Sequence, residues 1–201
     1  MKILQIWLND TPPNSKRMGC IKNILSLAKK RDIEVLFISD VKISRSTVIK
    51  YISAKEYIKS MCEDKQLSFC VDEIRKRRLA ENIKNVLLSD IIRFHFLINN
   101  NDILYLDTDI KLRDIPQTIP EYTYLNKDGT FINHDIMYNG NKDVLKKILN
   151  VAIMKSTYQT SVKKFRPIYS WMMWTLNSNL VDMKEVRYFT PEQVYHFNIE
   201  K

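Results

Sequence analysis

The sequence predicts an α/β protein built on parallel strands, and three observations carry that reading. Short apolar runs at Ile3 to Leu8, Ile33 to Ile38 and Ile103 to Leu106 are near-continuous rather than alternating, the pattern of strands buried on both faces. A segment of helical period separates the first two, and a strand, helix, strand order gives a parallel unit. Hydrophobic residues make up 45% of the 201 and glycine occurs only three times, which fits a packed, helix-rich chain with neither disorder nor repeats.

Taken in order, Ile3 to Leu8 is the first strand, and Asn9 to Asn14 is the loop at its C-terminal end, the end at which open α/β sheets bind ligands. Trp7, by periodicity alone, is a core aromatic. Ser15 to Lys30 has helical spacing, with Met18, Ile21, Ile24, Leu25 and Ala28 inward, and Ile33 to Ile38 is the second strand. Ser39 and Asp40 end that strand and either touch a ligand or form a turn. From Thr47 to about Arg78 the pattern is helical, amphipathic and irregular. Arg75-Lys76-Arg77-Arg78 closes it, a run that reads first as a solvated helix face and second as an attractor of phosphate.

A further helix runs through Ser89-Asp90-Ile91-Ile92-Arg93-Phe94, where Leu87, Ile91, Phe94 and Ile98 form an apolar stripe and Asp90 and Arg93 share a face beside it. Ile103 to Leu106 then leads into Asp107 and Asp109. In an extended backbone residues i and i+2 point to one side, so both carboxylates could face one divalent cation; an ordinary acidic turn is the alternative. Ile115-Pro116 and Ile119-Pro120 forbid helix beyond that point. Tyr122 to Leu125 and Phe131-Ile132 read as short strands around a turn at Asn126 to Gly129, with Asn133, His134 and Asp135 following. Lys142 to Met154 is helical, and Tyr169 to Leu176 is apolar nearly all round, a buried helix or an aromatic wall for a ligand.

The net charge of +9 points to an anionic partner, such as a nucleotide diphosphate, a phosphorylated glycan or lipid, or nucleic acid, although AT-rich coding explains much of the lysine. Cys20, Cys62 and Cys70 are odd in number and lack metal-finger spacing, so reduced structural thiols are expected. No stretch has the length of a signal-peptide core or a membrane span, and the expectation is a single-domain cytoplasmic protein of unassigned oligomeric state.

Ser89-Asp90-Ile91-Ile92-Arg93, a stretch of about ten residues and Tyr105-Leu106-Asp107-Thr108-Asp109 resemble in residue type and spacing the Asp-x-Asp glycosyltransferases. These include the Och1-like and capsular polysaccharide sugar transferases, related to the catalytic domains of clostridial glucosylating toxins. Lys2 to Leu8 with Pro12-Pro13 looks like the opening strand and loop of that family, and Phe131 to Met137 like its later Ile-Asn-Asn-x-Ile-Met segment. Tyr188-Phe189-Thr190-Pro191 is similar to its Phe-x-Pro. The resemblance covers most of residues 1 to 150. Asp102-Ile103 stands where the family has Gly-Gly, and the closing C-terminal segment is reduced to His196 as a possible remnant.

The resemblance implies a GT-A-type, Rossmann-like fold with a mixed, mostly parallel sheet flanked by helices. Residues 1 to about 112 would bind the nucleotide sugar, and about 113 to 201 the acceptor. It also implies a metal-dependent, retaining transfer from a UDP- or GDP-sugar. Asp109 would coordinate Mn2+ or Mg2+ directly, Asp107 would bind the ribose or sugar hydroxyls and reach the metal through water, and His196 would complete the metal set. Asp90 and Arg93 would hold the sugar, Ile6 and Trp7 would border the nucleotide, Tyr105 would pack by the donor, and Asn133 would lie by the sugar. A glycan or glycolipid acceptor is the first choice, a modified DNA base in a virus-like enzyme the second, and a protein side chain the third. From a different class comes a non-catalytic nucleic-acid-binding module carried by Arg75 to Arg78, though no recognition signature accompanies that run.

Overall fold

A computed structural model describes residues 1–115, 123–126, 132–138, 142–158, 187–189 and 194–196. Strand β1 (Lys2–Ile6) leads through helix α1 (Ser15–Arg31) into β2 (Val35–Ile38), and β3 (Ile49–Ile52) follows. Helices α2 (Ala54–Met61), α3 (Lys65–Lys76) and α4 (Glu81–Asn99) precede β4 (Ile103–Leu106) and β5 (Ile110–Leu112). Then come β6 (Thr123–Asn126), β7 (Ile132–Tyr138), α5 (Lys142–Tyr158), β8 (Arg187–Phe189) and β9 (Val194–His196).

Seven strands form one sheet in the order β3-β2-β1-β4-β7-β6-β8, and β5 and β9 form a separate antiparallel pair. The pairs β3·β2, β2·β1, β1·β4 and β6·β8 are parallel, while β4·β7 and β7·β6 are antiparallel. This is the mixed, mostly parallel sheet expected. Strand alternation sends Ile3, Trp7, Phe37, Leu104 and Leu106 to the layer of α1, and Leu4, Ile6, Leu36, Ile38 and Tyr105 to the layer of α2 to α5. Helices therefore cover both faces, which is why β1, β2 and β4 are largely apolar. Because β2 and β4 flank β1 on opposite sides, the chain changes direction at β1, and the crevice beyond the C-terminal ends of β1 and β4 is the ligand position that this topology creates.

Some expectations change. The segment from Thr47 to Arg78 is not one irregular helix. Ile49–Ile52 pairs with β2 as an edge strand, and two capped helices follow it. Ser53 caps α2 by accepting from the Glu56 amide at 3.3 Å, and Asp64 caps α3 by accepting from Gln66 and Leu67 at 2.8 and 3.1 Å. Strand β7 extends through Asn133 and His134 rather than ending at Ile132, because it pairs with both β4 and β6. Cys20 and Cys70 are buried and Cys62 is half-buried, and none of the three is in a disulfide. The apolar segment Tyr169 to Leu176 lies outside the described residues, as do 127–129 of the expected turn and the Thr190-Pro191 of the Phe-x-Pro match. No helix among the described residues is long and apolar enough to cross a membrane.

Candidate active site

Helix α4 carries Asp90 and Arg93 on one face, and β4 places Tyr105 against it. The Arg93 guanidinium lies 2.9 Å from Asp90 Oδ1 and 3.3 Å from Asp107 Oδ1, and it stacks on the Tyr105 ring at 4.5 Å from the centroid. The Tyr105 hydroxyl donates to Asp107 Oδ1. Burial pushes the Tyr105 phenol well above its usual range, an effect that Arg93 opposes and the neighbouring carboxylates reinforce, so the phenol is a fixed proton donor. The side chains of Asp90 and Arg93 are 1% and 4% exposed and that of Asp107 is 24% exposed. The network thus reaches solvent through Asp107.

The backbone after β4 is a turn rather than the extended strand expected: the Ile110 amide donates to the Asp107 carbonyl at 3.1 Å. The turn gives the two carboxylates different partners. Asp107 keeps to the α4 layer with Tyr105, whereas Asp109, 7% exposed, meets Arg17 of α1 at 3.4 Å. Arg17 also donates to Thr108 Oγ1 at 3.4 Å and lies over the Trp7 ring at 5.5 Å. Trp7 is 9% exposed and its indole N–H donates to the Thr11 carbonyl at 2.8 Å, so the ring is largely held in the core.

At the sequence level no family model and no curated protein matches the chain. Solved structures do. The chain is similar to the PaToxG glycosyltransferase, at 17% identity over 88% of this chain and 68% of that one, with a TM-score of 0.59. It is similar to a transferase solved as a double cysteine-to-serine mutant, at 13% identity over 96% and 93%, with a TM-score of 0.58. An active-site mutant of LgtC aligns at 13% identity over 98% and 86%, with a TM-score of 0.50. The chain has the GT-A glycosyltransferase fold.

Within this GT-A fold the expected residues fall into three groups. Asp90, Arg93, Tyr105 and Asp107 form one network at the end of β4. Asp109 and Trp7 adjoin it from the α1 side through Arg17, and Ile6 ends β1 within the α4-side core. Asn133 lies in β7 opposite Leu125, and His196 lies in β9 opposite Ile110, one residue beyond Asp109; the register places their backbones only. Ser39 and Asp40 are engaged structurally, Ser39 with Val41 and Asp40 with Ser53 and the Lys55 amide.

Sequence reasoning missed Arg17. A signal existed: the first turn of α1 holds no acidic residue, and cations there oppose the helix dipole unless something else holds them. It also missed Gln5, which is fully buried in β1 with neither amide atom hydrogen-bonded, and the Asn85 side-chain amide that donates to Asn9 at 2.9 Å, tying α4 to the loop after β1.

Proposed function

We propose that the protein is a metal-dependent, retaining glycosyltransferase that moves a sugar from a UDP- or GDP-sugar to a hydroxyl on a glycan or glycolipid. The observation that carries this reading is the buried Asp90, Arg93, Tyr105 and Asp107 network at the crevice of a GT-A fold. A structural ion pair needs no outlet, yet this one directs its only substantially exposed carboxylate, Asp107, toward the ligand end of the sheet.

The donor set fits a hard divalent cation. Asp107 and Asp109 offer only carboxylate oxygens, which suit Mn2+ or Mg2+, and such ions are commonly held by one or two carboxylates together with substrate phosphates. No group of three or more acidic, His or Cys side chains that could hold a metal stands together among the described residues, so the proposed shell draws its remaining ligands from the diphosphate and from His196. When bound, the metal supplies Lewis-acid relief of charge on the departing diphosphate.

The chain's own residues do the rest. Asp90 fixes Arg93, and Arg93 and Tyr105 fix Asp107, so the carboxylate is oriented before the donor arrives. Arg17 holds Asp109 and brings a cation to the nucleotide end of the crevice. Ile6 and Trp7 wall that end, and Asn133 borders the sugar. Residues 1 to about 112 then form the donor half and about 113 to 201 the acceptor half. A DNA acceptor has only the net charge in its favour and ranks second.

Replacing Asp107 and Asp109 with Ala, separately, tests the reading. Each variant should keep its far-UV circular dichroism and lose Mn-dependent hydrolysis of the cognate nucleotide sugar, found from a UDP- and GDP-sugar panel. Hydrolysis at the wild-type rate in both variants refutes the assignment.

A further inference from the structure

The face of α4 that carries Asp90 and Arg93 continues toward the helix N-terminus as Val86 and Ile83, because positions 83, 86, 90 and 93 are spaced 3, 4 and 3. Along this one stripe, burial changes abruptly. Asp90 and Arg93 are 1% and 3% exposed, whereas Val86 and Ile83 are 56% and 46% exposed. The first turns of α4 therefore form an overhang of bare hydrocarbon. Asn85, between the two, is bonded to Asn9 in the loop after β1, which fixes this overhang at the rim of the candidate site.

A single exposed aliphatic side chain is ordinary. Here two neighbours on one face are flanked by charge that is mostly positive. Residues 75 to 86 hold Arg75, Lys76, Arg77, Arg78 and Lys84 against Glu81 alone, so four of the nine net positive charges of the chain fall in twelve residues. Lys76 and Lys84 pair loosely with Glu73 and Glu81, at 3.7 and 3.4 Å, while Arg75 and Arg78 at the end of α3 are exposed. Leu79 packs against the core and anchors the connection between the two helices, so the basic run and the apolar pair are held on one corner.

We infer that this α3–α4 corner docks the protein on an anionic lipid surface, with Ile83 and Val86 entering the headgroup boundary and the arginines binding lipid phosphate. Exposed aliphatic side chains beside clustered cations match an anionic bilayer on both counts, apolar depth and surface charge. Nucleic acid fits less well, since residues 75 to 86 hold no aromatic ring on which a base would stack. The inference rests on the transferase reading in one respect: docking would present the crevice to an acceptor carried by the lipid surface.

The experiment uses flotation of the full chain with vesicles of phosphatidylcholine alone and of phosphatidylcholine mixed with phosphatidylglycerol, alongside Mn-dependent donor hydrolysis in solution. The wild type should float with the anionic vesicles only, and less so as salt rises. Ile83→Ser with Val86→Ser should weaken partitioning about tenfold, and Arg75→Ser with Arg78→Ser by roughly fivefold per arginine. Both double variants should melt like the wild type and hydrolyse donor at its rate. Wild type that ignores anionic vesicles, or apolar variants that bind them undiminished, overturns the inference. So does tighter binding to duplex DNA that is lost in the arginine variant alone. Hydrolysis without flotation sinks only the docking surface, while patch-dependent flotation without hydrolysis sinks only the transferase reading.

Discussion

Arg93 meets two carboxylates and an aromatic ring while its side chain is 4% exposed, so its removal leaves Asp90 in hydrocarbon without that cation. Breaking a buried pair from one side costs about 3–5 kcal/mol. Arg93→Met should therefore lower the melting temperature by roughly 10 °C; a melt within a degree or two of wild type would show that the network carries no stability. A second residue tests the backbone. Asp102 has φ 56°, the left-handed region, at the place where the resembled family has glycine. Its carboxylate accepts from the Tyr138 hydroxyl at 2.8 Å, a bond that both Asp102→Gly and Asp102→Ala remove. The difference between the two variants isolates the turn, and the alanine form should be less stable by about 1 kcal/mol, read from urea midpoints. Equal midpoints would mean the turn relaxes freely. The run Asn99 to Asp102 is legible as a turn without glycine, but which of the four takes the left-handed position is set by the strand pairing that follows.

Among the elements, α2 and α4 are joined through Tyr57 and His95, whose hydroxyl and Nδ1 lie 3.0 Å apart. Burial pushes the Tyr57 phenol far up, so it stays a proton donor, and burial lowers the His95 imidazole below 6.5, opposed by Asp64. A folded-state value below the unfolded one means that the unfolded chain takes up the proton first as pH falls. The stability from neutral His95 is thus complete above pH 6.5 and is lost as pH drops from there through the folded value. His95→Gln should flatten this part of the melting temperature against pH curve below 6.5, and an unchanged slope would remove His95 as its source. The helices themselves were partly legible. Ser53 and Glu56 carry capping-box spacing and Asp64 is a strong cap, yet the irregular apolar pattern from Thr47 onward hid both starts and the edge strand before them. An edge strand with one solvated side, Ile49–Ile52, lacks the continuous apolar run that marked β1, β2 and β4.

For the molecule as a whole, the fold brings Asp107 and Asp109 to the C-terminal end of a strand in a sheet covered on both faces. Nucleotide and metal that bind the native state alone stabilise it by mass action, by about 2.7 kcal/mol at a hundredfold excess over Kd. UDP or GDP with Mn2+ should raise the melting temperature by roughly 5–10 °C, and Asp107→Ala should lose most of that shift. No shift with either nucleotide would leave the GT-A fold in place and remove its donor site.

The apolar strands, the amphipathic helices and the order of Asp90, Arg93, Tyr105, Asp107 and Asp109 all follow from local spacing, since periodicity records which face of a single element meets the core. Spacing also anticipated that Asp90 and Arg93 share a face, and they pair at 2.9 Å. What it could not record is the direction a side chain takes after a turn or across layers. The turn closed by Ile110 sends Asp107 to α4 and Asp109 to α1, and Arg17 reaches Asp109 across 92 positions of sequence. Those contacts exist only once two apolar layers have closed on the sheet, because packing, not the run of neighbouring residues, decides which distant cation faces each carboxylate.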